Sequence, residues 1–199
     1  MVTNTLNPGA ATPPAMREYT NRETVAANLP YVAMILLGAA TIALGFSLTP
    51  WAVAGALAYT ACGLSGVLWI MVFVCPYCIY FGTRGCPCGY GSIATKLATK
   101  GEQECFSHKF KRHIPVIVPL WVIPLAAGVL ALVHSFRWLL VGLVGAFVLN
   151  SYVLLPLLAK RHSCGECPQR ENCPWMWGTG SPATGASPGK LQPPPLTTR

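Results

Sequence analysis

The chain has 199 residues, of which 53% are hydrophobic and 10% charged, with a mean hydropathy of +0.47. A soluble domain carries about 25% charged residues, so this composition excludes an ordinary soluble enzyme. Lys and Arg number 14 against 6 Asp and Glu, and so basic a balance on so few charges fits a membrane topology signal rather than a nucleic-acid partner.

Residues 1–28 form an N-terminal arm. Its first 15 residues or so are rich in Pro, Thr, Ala and Gly and are expected to be disordered, with a short interfacial helix over 16–28. No basic stretch runs directly into an apolar one there, so a cleaved signal peptide is not expected.

Apolar segments then fall at 29–48 and 51–74, and again at 114–133 and 138–158. Each has the roughly 20 residues that a helix rising about 1.5 Å per residue needs to cross the hydrocarbon core. None of them contains Asp, Glu, Lys or Arg. Only Thr49 and Pro50 separate the first pair, a good cap and first-turn combination. The second pair turns around residues 134–137. The expected fold is an all-α integral membrane protein with four transmembrane helices in two hairpins, 29–74 and 114–158.

Within the spans, Gly38, Gly45, Gly55, Gly63, Gly66, Gly142 and Gly145 are small enough to let helices approach closely. Pro119, Pro124 and Pro156 are expected to bend the third and fourth spans. Cys62 is expected to be a small packing residue. Asn150, the most polar side chain deep in a span, is expected to bond a neighbouring helix.

Thirteen of the fourteen basic residues lie in the arm, the central loop (75–113) and the segments after the last span, leaving Arg137 alone on the other side. The positive-inside rule then places both termini and the loop in the cytoplasm, with the protein in the cytoplasmic (inner) membrane. Trp69, Tyr77, Tyr80, Phe81, Trp121, Trp138, Trp175 and Trp177 suit interfacial anchors, and the basic residues of 96–112 suit anionic lipid head groups. Residues 178–199 read as a disordered tail.

The cysteines carry the chemistry. Cys75, Cys78, Cys86, Cys88 and Cys105 fall in the loop, and Cys164, Cys167 and Cys173 in the segment 159–177. Eight of nine thus gather at one membrane face, although the chain crosses the bilayer twice between the groups. That face is the reducing one, where clustered cysteines bind metal or do redox work rather than form structural disulfides. Neighbouring basic residues favour the thiolate that ligates metal. The eight divide into Cys75, Cys78, Cys86 and Cys88 as one set and Cys105, Cys164, Cys167 and Cys173 as the other. His108, His113 and His162 are substitutes for any member.

The spacing C-x2-C-x5-C at Cys164, Cys167 and Cys173 is similar to the last three ligands of the endonuclease III-type iron–sulfur loop and to the start of the auxiliary-cluster motif in radical-SAM maturases. Proline after Cys75, Cys86, Cys167 and Cys173 resembles the Cys-Pro of bacterial ferredoxins. These likenesses imply iron–sulfur clusters of the 4Fe–4S type, in a protein carrying electrons at the membrane face to a redox partner or complex subunit, with quinone as a candidate acceptor. The layout is similar to membrane anchors with cytoplasmic ferredoxin-type clusters. The alternative cofactor is zinc, as a structural staple between loop and tail.

A different class remains open. Cys75-Pro76-Tyr77-Cys78 is identical to the glutaredoxin tetrapeptide, and four helices with such a pair resemble quinone-coupled membrane oxidoreductases that make disulfides. In that case Cys75 and Cys78 are the exchanging, catalytic pair. Transport and hydrolysis find no support, since no charged residue lies in a span and no Ser/His/Asp set or carboxylate pair is present.

Overall fold

The computed structural model describes residues 17–164 together with Cys167 and Cys173, the side chains of residues 162–164 excepted. All elements among the described residues are helical. In chain order they are α1 (Asn21–Gly45), α2 (Pro50–Phe73), α3 (Tyr90–Ala94), α4 (Phe106–His113), α5 (Pro119–His134), α6 (Trp138–Val148) and α7 (Leu155–Leu158). Four helical stretches are long and apolar enough to cross a membrane: Asn21–Gly45, Pro50–Tyr77, Gln103–His134 and Trp138–Arg161.

The first of these begins well before residue 29. Thr20 and Glu23 make a capping box, the Thr20 hydroxyl accepting the Glu23 N–H at 3.4 Å and the Glu23 carboxylate accepting the Thr20 N–H at 2.9 Å. Arg17 adds an ion pair to Glu23 at 2.6 Å. Two orphan amides are satisfied at that point, so the helix starts there. The interfacial helix expected over 16–28 and the span expected from 29 are therefore one helix, which carries Pro30 within it. Thr49 caps α2 as expected, accepting the Ala52 N–H at 3.3 Å, with Pro50 at the first position.

The prolines act differently from one another. Pro119 opens α5, where its missing N–H is an orphan anyway. Pro156 lacks the N–H that an α-turn would aim at the Tyr152 carbonyl. Upstream of it the backbone widens into a π-helical stretch, Leu149–Leu154, and a second one follows at Ala159–Cys164.

α1 is the central helix, packing against α2, α5 and α6, whereas α2 and α5 touch much less. The core joins Met34, Ile35, Ile42, Tyr59, Leu120 and Phe147. Gly38 lies under the Tyr59 ring, where an added Cβ would come within 2.6 Å of the hydroxyl oxygen. Gly128 fits against Val144 and Thr41 in the same way. Gly142 and Gly145, in contrast, face open space. On α6 the inward positions are Leu140 and Phe147, two turns apart, which puts both glycines on the outer side. Cys62 is also exposed and so is not a packing residue. The outer surface is apolar throughout, with Leu36, Leu57, Leu64, Leu130 and Leu139 all exposed. In water so much exposed hydrocarbon would aggregate; against lipid it costs nothing.

A few polar side chains tie the helices together. Tyr59 donates to the Leu120 carbonyl and Tyr31 to the Gly63 carbonyl, both at 3.0 Å. Asn150 donates to the Pro30 carbonyl at 2.9 Å, as its place deep in the last span predicts. At the opposite end from the cysteine loop, the Arg137 guanidinium donates to the carbonyls of Leu44 at 2.7 Å and Gly45 at 3.2 Å, closing the end of α1. Replacing Asn150 by leucine removes the one side-chain bond from the π-turn to α1. It is expected to lower stability in detergent by about 1–2 kcal/mol, read by thermal unfolding. An unchanged transition would remove this bond from the interactions that hold the bundle.

Candidate functional site

The cysteine loop begins where α2 ends. Val74 closes the helix, and Cys75–Tyr77 follow as a single 3-10 turn. The Cys75 carbonyl accepts the Cys78 N–H at 3.0 Å, and the Pro76 carbonyl accepts the Gly101 N–H at 3.0 Å. The C-P-Y-C tetrapeptide therefore sits at the negative end of a helix dipole, the opposite of its glutaredoxin setting, where a helix N-terminus lowers the thiol pKa.

The chain then folds through a series of tight turns. Cys78, Tyr80 and Cys86 each offer a carbonyl to the residue three further on: Phe81 at 3.0 Å, Thr83 at 3.1 Å and Gly89 at 3.0 Å. Gly89, with φ of +74°, turns the chain into α3, a left-handed conformation that other residues rarely adopt. The Gly82 N–H donates to the Gly91 carbonyl at 3.0 Å and so joins the two ends of the loop. Gly91 in turn packs directly on the Tyr80 carbonyl, and its absent Cβ would stand 3.1 Å from the Cβ of Cys86.

α1 holds this loop from the side. Asn28 donates to the Cys88 carbonyl at 3.0 Å and accepts the Tyr90 hydroxyl at 2.7 Å. Tyr19 donates its N–H to the Arg84 carbonyl at 3.1 Å. Residues 17–28 are thus part of the site's frame.

Several of the thiols lie near one another. Cys75 lies within electrostatic reach of Cys86, Cys78 and Cys88. Cys78 lies within reach of Cys86, Cys167 and Cys173, and its sulfur accepts the Tyr80 N–H. Burial pushes the Cys78 thiol up to about 12, the amide of Tyr80 opposes that shift, and the neighbouring thiols reinforce it. A buried thiol held protonated is a poor nucleophile. Bound to a metal, the same thiol loses its proton outright. Tyr80 also reaches the tail: its hydroxyl is hydrogen-bonded to Cys167 and is held neutral, well above the ordinary range, by burial and then by that thiol. Tyr90 is raised for the same first reason, with Cys88 second.

The remaining candidates stand apart. Cys105 ends the 3-10 segment Gln103–Cys105, which packs beside the Cys75–Tyr77 turn, but the thiols acting most strongly on Cys75 and Cys78 do not include it. His113 is stacked on Phe73, ring centroids 5.0 Å apart, and lies 5.9 Å from Trp69, which docks the end of α4 on α2. His108 is exposed. Lys109 lies over the Tyr77 ring at 5.0 Å. The side chains of Cys164 and His162 lie outside the described residues. Cys167 and Cys173 lie within electrostatic reach of Cys78, and Cys105 ends the segment beside the Cys75–Tyr77 turn.

Among the described residues, every cysteine is a free thiol, and no three His, Cys, Asp or Glu side chains have the spacing to hold a metal ion. Ligation at these thiols therefore requires side chains to close onto the ion, as happens when metal binding is coupled to folding. Asn28 and Gly91 are the site residues that sequence patterns do not single out. The one available signal was Gly89-Tyr90-Gly91, whose glycines mark a close backbone approach. Compared with protein-family models, curated proteins and solved structures, the chain matches none.

Proposed function

We propose that the protein is a membrane-anchored thiolate centre that carries electrons through an iron–sulfur cluster, of the 4Fe–4S type, at the cytoplasmic face. Two transmembrane hairpins act as the anchor, and the cysteine loop with the tail forms the cofactor module. One observation carries this: Cys75, Cys78, Cys86 and Cys88 lie together in a tightly hydrogen-bonded loop at one end of the bundle, with a backbone N–H already directed at the Cys78 sulfur. Amide donors to sulfur stabilise thiolate ligands and raise the potential of the cluster they hold. Thirteen of fourteen basic residues on that side support the cytoplasmic orientation. A cluster held there faces a soluble or membrane redox partner, with quinone within reach at the bilayer surface.

Anaerobic purification of the full chain in detergent, followed by iron, sulfide and zinc analysis and a visible spectrum, tests this. About four irons per chain, or about eight with two clusters, and a broad visible absorbance that bleaches on reduction are expected. Zinc without iron would make the thiols a structural staple between loop and tail. A metal-free protein that exchanges disulfides through Cys75 and Cys78 would overturn the proposal in favour of thiol–disulfide chemistry.

A further inference from the structure

We infer that the outer face of α4, with His108, Lys111 and Arg112, binds the head group of an anionic phospholipid whose acyl chains lie on Trp69 and Phe73 of α2. The inference is independent of the thiolate-centre function proposed above. It narrows the basic stretch 96–112 to one face of one helix.

α4 is the polar leading part of the third long helical stretch, and the apolar run begins directly after it at Ile114. Its two faces differ. Phe106 is buried, Lys109 lies over the Tyr77 ring at 5.0 Å, and His113 stacks on Phe73 at 5.0 Å. Those positions recur at helical spacing, so this side is turned toward α2 and the Cys75–Tyr77 turn. His108, Lys111 and Arg112 fall on the opposite side, and all three are exposed. Helix neighbours three and four apart lie about 5–6 Å from one another, so the ammonium and guanidinium donors form one compact patch. α4 contains no Asp or Glu, so no charge within the helix opposes an anion there.

An apolar surface lies alongside. Trp69 and Phe73 are 39% and 38% exposed, with ring centroids 4.3 Å apart. The stack of Phe73 on His113 sets these rings level with the end of α4, where charge gives way to the exposed Val116 and Val118. The positive-inside rule asks only that basic residues lie on one side of the membrane; it does not require an ordered helix face beside exposed rings. An anion joined to hydrocarbon matches both halves, and basic pockets between transmembrane helices take such head groups. A soluble acidic partner would match the charge alone and leave the rings without apolar cover. A lipid held here would also steady the cysteine loop, because Gln103–Cys105, which leads into α4, packs beside the Cys75–Tyr77 turn.

The test is native mass spectrometry of the full chain in neutral detergent, titrated with phosphatidylglycerol or phosphatidylcholine. Phosphatidylglycerol is expected to be retained and phosphatidylcholine to be lost. Arg112→Gln should weaken retention about fivefold, and the double variant Lys111→Gln, Arg112→Gln about twenty-five-fold. Arg112→Lys keeps the charge and should restore most of the binding. Arg22→Gln makes the same charge change at the exposed start of α1 and should bind like wild type. All of these side chains are exposed, so melting temperatures should stay at the wild-type value. Equal losses in Arg22→Gln and Arg112→Gln would reduce the effect to bulk charge and overturn the site, as would equal retention of phosphatidylcholine. Retention of heparin in place of phosphatidylglycerol would overturn it in favour of a soluble acidic partner.

Discussion

Changing Cys78 to serine is expected to reduce metal affinity more than about tenfold and to bleach any visible chromophore, with the four long helices intact by circular dichroism. Cys78 lies within electrostatic reach of Cys75, Cys86, Cys167 and Cys173. Serine keeps the volume but offers a hard hydroxyl that stays protonated near neutral pH, so it replaces neither the charge nor the softness of a thiolate. The Tyr80 amide would then point at an oxygen that cannot ligate. Because the loop's backbone turns are closed by main-chain bonds, the substitution should leave the scaffold in place. Wild-type metal content in this variant would remove Cys78 from the centre.

Gly91→Ala should be nearly as damaging without touching a cysteine. The added Cβ would run into the Tyr80 carbonyl and would stand 3.1 Å from the Cβ of Cys86. Neither neighbour can easily yield. The Tyr80 carbonyl is fixed by the Thr83 N–H at 3.1 Å and the Thr83 hydroxyl at 3.0 Å, and the Gly91 carbonyl by the Gly82 N–H at 3.0 Å. The overlap must move loop backbone, at a cost of about 2 kcal/mol or more. Tyr80 would be displaced from Cys167 and Cys78, so metal content should fall together with thermal stability. Gly142→Ala is the control, since an added methyl there meets nothing; its metal content and melting should match wild type. Equal behaviour of the two variants would mean that the loop is softer than its hydrogen bonds suggest.

Much of the bundle was legible from local chemistry. Four uncharged runs of about 20 residues leave a chain few options other than helices that bury their backbone groups in lipid. Thr49-Pro50 marks the start of α2, because capping is settled within one turn. The partner of Asn150 was foreseeable as a class, since a lone amide in an apolar span must bond something. The start of α1 was less visible. Thr20 and Glu23 outweighed the polar character of the next few residues, and a hydropathy boundary does not register a capping box.

The site divides in the same way. That cysteines collect at one end of the molecule follows from where they fall between apolar spans, and so does the isolation of Arg137 at the other end. Which thiol meets which does not follow. Cys78 lies within electrostatic reach of Cys167 and Cys173, and Cys88 is held by Asn28 from the first helix, across distances along the chain that no local pattern encodes. The same limit applies to glycine: Gly128 and Gly142 are alike in sequence, yet only the rotations of α5 and α6 about their axes decide that one lies beneath a neighbour and the other faces open space. The sequence by itself determined the helices, their apolar surfaces and the end of the molecule that bears the thiols, because these depend on interactions within a few turns. Only the tertiary structure decided how the loop is closed, by the bond of Gly82 to Gly91 and by Asn28 of α1 on Cys88 and Tyr90, because those contacts depend on how α1 and the loop are packed side by side.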